Sequence, residues 1–270
     1  MQRPTNFSDN TFYERNDIMK KTILKSKMLS KTFSSGGIQQ HVLKNLNLEI
    51  YEGDFTVIMG ASGSGKSTLL YSLSGMDKPT LGEIYFGDID ISKYSNDKLA
   101  TFRRKNCGFV FQQIYLLNAM SVLDNCLASG LLVNKNKRTV SKKAKELLLQ
   151  VGLTDVDWGK FPSQLSGGEA QRAGIVRALI NDPMVVFADE PTGALNSASS
   201  KDVLDLLSQV NDKGQSIVMV THDIKSARRA NRILYLKDGV ICGECLLGKY
   251  ISGDSARHEK LASFLVEMGW

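Results

Sequence analysis

The 270-residue chain lacks any apolar run near the roughly 18 residues that a membrane-crossing helix requires. Its two clearest apolar stretches, residues 55–59 and 184–188, are short and bounded by polar residues. Lys20, Lys21, Lys25 and Lys27 are followed by no apolar segment of the kind a secretory signal carries. These absences predict a cytoplasmic chain that does not itself enter the bilayer. Blocks of like charge are missing too. The net charge of +6 is spread along the sequence, which suits nucleotide phosphates, an anionic membrane surface or nucleic acid without choosing among them. Cysteine is scarce, at Cys107, Cys126, Cys242 and Cys245. The last two form C-x-x-C, but zinc needs a second pair, and Cys107 and Cys126 are not spaced as one. Nor does the motif open a βαβ unit, where redox chemistry would place it. A structural role is expected.

What is present is a glycine loop. Gly60, Ala61, Ser62, Gly63, Ser64, Gly65, Lys66, Ser67 and Thr68 fit G-x-x-x-x-G-K-[ST]. An apolar strand precedes the loop and an apolar helix follows it. That context aims several backbone N–H groups and the positive helix end at one point. Lys66 is expected to reach the β- and γ-phosphates of a nucleoside triphosphate, and the Ser67 hydroxyl to ligate Mg²⁺. A Gly/Ser surface loop is the competing reading, and the flanking strand and helix argue against it.

Residues 1–18 are polar without periodicity, and 1–21 read as a flexible extension. Alternating patterns predict strands over 23–33 and 42–50 around the turn at 34–37, and a strand–turn pair over 82–88. From 97 to 150 the pattern turns helical, with Val140, Ala144, Leu147, Leu148 and Val151 at helical spacing and a basic loop over 135–138. After Ser166 strands and helices alternate, with apolar strands over 184–188 and 216–221, a helix over 203–210 and a late hairpin over 232–247. Leu261, Phe264, Leu265 and Met268 follow i, i+3, i+4, i+7, which predicts a short amphipathic helix docked on its own domain. Right-handed βαβ winding would bring the strand ends to one sheet edge beside the loop.

Asp189 and Glu190 end one of those strands. Asp189 at that edge suits Mg²⁺, and Glu190 suits the orientation or deprotonation of an attacking water. His222 ends the next strand, within reach of a γ-phosphate; a satisfied surface histidine is the alternative. Gln112 can touch both Mg²⁺ and water. Leu165, Ser166, Gly167, Gly168, Glu169 and Arg172 open a helix with a second glycine cluster, another N-terminus ready for an anion. One nucleotide does not need two such loops from one chain, so the second is expected to serve another molecule's nucleotide.

Taken in order, these motifs resemble the nucleotide-binding subunits of ABC transporters over about residues 22–247. The resemblance implies an α/β fold: a P-loop ATPase core, an N-terminal antiparallel β subdomain, an inserted helical subdomain over about 97–165, and a helical tail over 248–270. It makes 60–68 the Walker A loop, Asp189 and Glu190 the Walker B pair, Gln112 the Q-loop glutamine and His222 the switch histidine. Phe33 becomes the aromatic that stacks on adenine, with a core phenylalanine as the rival reading. It also implies a head-to-tail homodimer around two ATP and Mg²⁺, with Ser166, Gly167, Gly168 and Glu169 acting in trans. Lys66, Glu190 and His222 would carry hydrolysis. The partner would be an integral membrane permease that holds the chain at the inner face of the membrane, with no nucleic acid and no metal beyond Mg²⁺. Asn196 departs from the family's usual D-loop aspartate. Phe102, Arg103 and Arg104, residues 108–113 and residues 190–195 resemble the branch serving lipoprotein release, macrolide export and antimicrobial-peptide resistance. The tail ending in Trp270 is similar to bacitracin-type members. A regulatory cell-division-type ATPase and a soluble ABC protein acting on nucleic acid are the alternatives.

Overall fold

The structure, a computed structural model, describes residues 21–270, so the expected N-terminal extension lies outside the described residues except for Lys21. Two sheets organise the rest. β1 (Thr22–Ser35) and β2 (Ile38–Tyr51) form a long antiparallel hairpin, turned by Gly36 and Gly37 at φ 57° and 82°. Both dihedrals are what a two-residue hairpin turn of the right twist requires. β4 (Leu81–Phe86) pairs with the other edge of β1, and β5 (Ile89–Asp90) completes the order β2-β1-β4-β5.

The second sheet runs β10-β9-β3-β8-β7-β6, where β3 is Phe55–Met59, β6 Cys107–Phe111, β7 Val185–Asp189, β8 Ser216–Val220, β9 Arg232–Lys237 and β10 Val240–Leu246. All its pairings are parallel except the β9–β10 hairpin. Every residue of β3, β7 and β8 is buried, because both faces of the sheet are covered. Side chains alternate between two cores. Val57, Val186 and Met219 face α3 (Val122–Gly130), α4 (Lys137–Gln150), α6 (Gly167–Leu179) and α7 (Ser197–Asp212). Ile58, Phe187 and Val218 face α1 (Lys66–Leu73), α2 (Asn96–Asn106) and the antiparallel sheet, where Phe86 and Phe102 meet edge to face at 4.8 Å.

The segment 97–165 is not helical throughout. Between α2 and α3 lies β6, the edge strand of the parallel sheet, with Val110 buried and the rings of Phe109 and Phe111 stacked at 5.8 Å on the other face. Five residues are too few for a period-two pattern to stand out between helical segments, and pairing with β7 supplies the hydrogen bonds. The helices beyond it are α3, α4 and the short α5 (Asp155–Trp158). Half of the basic loop expected over 135–138 belongs to α4, which Asn136 caps by accepting from the Thr139 amide at 3.1 Å. After α8 (Ile224–Ala227), the chain closes with α9 (Ser255–Glu267), which buries Leu261, Phe264 and Leu265 at the spacing read from the sequence.

Candidate nucleotide site

β3, β8, β7 and β6 lie side by side and point the same way, so their C-terminal ends share one edge. In register, Ile58 pairs with Val220, Val220 with Asp189, and Asp189 with Phe111. Thr221, Glu190 and Gln112, each one residue further on, therefore emerge in a row beside the glycine loop that leaves β3. Open α/β sheets place ligands at this kind of edge.

Two glycines shape the loop. A Cβ on Gly60 would collide with the Leu236 carbonyl oxygen of β9, so the strand exit admits no side chain. Gly65 stands at φ +100° immediately before α1, where an L side chain is strained. Lys66 is 9% exposed and donates to the carbonyl oxygens of Gly60 and Ala61, each at 2.8 Å. Burial holds its amine below the usual range, while the Glu190 and Asp189 carboxylates oppose that shift. A cation folded over a glycine loop at a helix N-terminus is an anion site.

Asp189 is buried and accepts two bonds, from Ser67 Oγ at 2.9 Å and from the Tyr71 hydroxyl at 2.6 Å. Burial, with the bond to Asp189, pushes the Tyr71 hydroxyl far up, so it stays a donor. Glu190 follows at φ +46°, a backbone region costing about 1–3 kcal/mol for a residue other than glycine. Its amide donates to Val220 O at 3.0 Å. Its carboxylate accepts from Thr221 Oγ1 at 3.0 Å and from the His222 amide at 3.1 Å, and lies 2.7 Å from His222 Nδ1. An ionised carboxylate only accepts, so in a contact with the charged form of Glu190 the donor is Nδ1. The His222 side chain is 67% exposed against 17% for Glu190. The Gln112 side chain lies against Gly193, where an added Cβ would stand 2.9 Å from Nε2.

Phe33, Gln40, Val42, Ser62, Gly63, Gly65, Lys66, Ser67, Thr68, Glu190, His222 and Trp270 line one cavity of about 700 Å³. Phe33 is 44% exposed there, with Lys31 Nζ 5.0 Å from its ring centroid, so it is no core phenylalanine. A second cavity, of about 780 Å³, reaches Glu190, His222 and Gln112 from the side of α7 and the tail.

Ser166, Gly167, Gly168 and Glu169 line neither cavity. Ser166 caps α6: its Oγ accepts from the Glu169 amide at 3.3 Å, and the Glu169 carboxylate accepts from the Ser166 amide and hydroxyl at 2.7 Å each. Those bonds from Ser166 hold the Glu169 carboxyl below its ordinary range. Asn196 caps α7 by accepting from the Ser199 amide at 2.9 Å, a bond an aspartate would also make.

Sequence reasoning missed several groups. Tyr71 was legible in principle, since Ser67 and Tyr71 are i and i+4 on α1 and share a face. Thr221 and Gln171 had no local signal; Gln171, 1% exposed, ties Phe111 O at 3.0 Å to Pro191 O at 2.8 Å. The presence of Trp270 in the cavity depends on how α9 docks.

The model describing ABC transporters matches residues 43–193. The lipoprotein-releasing system ATP-binding protein LolD of Wigglesworthia glossinidia brevipalpis is 45% identical over 218 residues, covering 80% of this chain and 95% of that protein. The macrolide export ATP-binding/permease protein MacB of Wolinella succinogenes is 42% identical over 223 residues, covering 83% of this chain but only 34% of MacB. A solved dimeric structure of MJ0796, titled a bacterial ABC transporter cassette, superposes with a TM-score of 0.76 at 40% identity, covering 84% of this chain and all of that one. Another, the same cassette in a dimeric post-hydrolysis state bound to ADP and Pi, gives 0.74 at 38% identity, with the same coverage. The chain belongs to the ABC transporter family, as an ATP-binding subunit with ATPase activity. Within it, the chain falls among the lipoprotein-release and macrolide-export relatives.

Proposed function

We propose that this ATPase works as a head-to-tail homodimer that closes on two Mg²⁺-ATP and drives a separate integral membrane permease. The observation that carries the reading is that Ser62, Gly63, Gly65, Lys66, Ser67 and Thr68 of the first glycine cluster line the cavity and residues 166–169 of the second do not. A helix N-terminus outside its own chain's cavity is free to cap a nucleotide held by another copy. Phe33 would stack on adenine, Lys66 and the loop amides hold the phosphates, and Ser166, Gly167, Gly168 and Glu169 complete the site from the partner.

The donor set fits Mg²⁺. The Ser67 hydroxyl and the Asp189 carboxylate place hard oxygens 2.9 Å apart, and phosphate oxygens, water and Gln112 could fill the remaining positions. Among the described residues no group of three or more His, Cys, Asp or Glu could hold a metal without such help. When bound, Mg²⁺ would neutralise charge on the β- and γ-phosphates. Glu190, fixed from two sides by Thr221 and His222, would orient the attacking water and take its proton. His222, with Nδ1 engaged by Glu190, would keep Nε2 free to meet the γ-phosphate.

No described helix is long and apolar enough to cross a membrane, so attachment to the inner face of the membrane would come through the permease. The surface for it is the groove beside Gln112 and the helical insertion, about 460 Å³, with Tyr115 62% and Leu132 52% exposed. The names of the relatives support release of a lipoprotein or export of a macrolide; the antimicrobial-peptide reading rests on the sequence resemblance of the tail alone. Salt-sensitive binding to DNA or ribosomes in place of permease co-purification would count against transport.

Glu190→Gln keeps the size and loses the base. Turnover should fall at least about 100-fold, and an ATP-bound dimer should accumulate on gel filtration. A variant that stays monomeric at saturating Mg²⁺-ATP sinks the dimer reading.

A further inference from the structure

The nucleotide cavity has an aromatic wall that comes from the far end of the sequence. α9 docks closely on β10: a Cβ on Gly243 would stand 2.5 Å from Met268 Sδ and 3.0 Å from Phe264 Cε2, so the helix rests directly on bare backbone. Arg257, 4% exposed, anchors its first turn. The guanidinium donates to the carbonyl oxygens of Arg228, Ala230, Leu247, Gly248 and Lys249. After Gly269 at φ +79°, the Trp270 amide donates to Leu265 O at 3.0 Å, which turns the chain back over the helix end. The indole then meets Tyr235 edge to face at 6.3 Å. Tyr235 pairs in register with Met59, the residue before the glycine loop.

We propose that Trp270 is part of the nucleotide site in cis and packs against the nucleoside portion of bound ATP. This rests on the nucleotide reading of the cavity given above. Lys66, Ser67 and the loop amides occupy the phosphate end. Phe33, Val42 and Trp270 supply the apolar and aromatic lining. An indole offers a phosphate little beyond one N–H, whereas a base or ribose buries its face on it. Trp270 is 43% exposed, leaving area for such a contact. Stacking of this kind tolerates any base, so ATP and GTP should gain alike.

The sequence holds two tryptophans, Trp158 and Trp270, which allows a direct test. In a Trp158→Phe background, emission from Trp270 is followed while Mg²⁺-ATP is titrated, and binding of labelled ATP is measured in parallel by equilibrium dialysis. Emission should shift along the same curve as binding. Trp270→Ala should weaken ATP and GTP binding by about tenfold, and Trp270→Phe should restore most of the affinity. Binding by dialysis without an emission change, or a Trp270→Ala dissociation constant within about twofold of the parent, overturns the proposal and leaves the nucleotide reading intact. Absence of binding by dialysis in the parent chain overturns both. Recovery in Trp270→Phe separates a contact from a collapsed tail.

Discussion

At the scale of single residues, the candidate site is a set of polar groups whose partners are already assigned. Asp189 is satisfied by Ser67 and Tyr71, and Glu190 by Thr221 and His222. Tyr71→Phe keeps the ring and removes a donor from a buried carboxylate. The expected cost is about 1–3 kcal/mol, seen as a drop of several degrees in Tm. Turnover should fall while ATP binding persists, because Asp189 loses the bond that orients it; unchanged stability would mean that water replaces the hydroxyl. Lys66, Ser67, Asp189 and Glu190 were legible because each stands at a fixed offset from a glycine loop or a strand end. Thr221 and Gln171 were not, since a hydroxyl or an amide acquires its role only from what the sheet sets beside it.

At the scale of elements, helix caps tie the switch region to pH. Asp223 caps α8, accepting from the Lys225 amide at 3.1 Å and from the Ser226 amide and hydroxyl at 2.8 and 2.6 Å. Burial pushes its carboxyl up, but the Ser226 and Lys225 bonds outweigh burial and leave it below the ordinary value of 3.8. A carboxyl lower in the folded than in the unfolded chain adds stability that is complete above the unfolded value. That stability is lost as pH falls through the folded one. Urea midpoints should therefore decline below roughly pH 4, and Asp223→Asn should flatten the decline. An unaltered slope in that variant would place the acid sensitivity elsewhere, as in Glu169 or Asp157, which are also held low. Most elements were readable: the buried strands from unbroken apolar runs, α4 and α9 from their period. β6 was hidden, because its five residues borrow their stability from β7 rather than from a pattern of their own.

At the scale of the whole molecule, two cores on opposite faces of one sheet hold the glycine loop, the carboxylates and His222 in fixed relation. The tail joins this body through Arg257, whose guanidinium is held by backbone carbonyl oxygens, by the Tyr250 ring 5.6 Å away and by Asp254 nearby; burial holds it below the usual range. Arg257→Met preserves much of the bulk and strands five carbonyl oxygens. A loss of about 2–4 kcal/mol is expected, with hydrogen exchange quickened in α9 ahead of the parallel sheet. Uniform quickening across both would show that the tail is integral to the core rather than docked on it.

The sequence by itself determined the phosphate loop, the carboxylate pair, the second glycine cluster and the alternation of buried strands with helices. Each of these is a local pattern whose chemistry depends on short spacings. Only the tertiary structure decided that Gln112 joins Glu190 and Thr221 at the edge that the winding of the strands anticipated, and that Trp270 enters the cavity. Those relations join residues far apart in the chain, and strand order, helix packing and the seating of α9 on Gly243 set the distances between them.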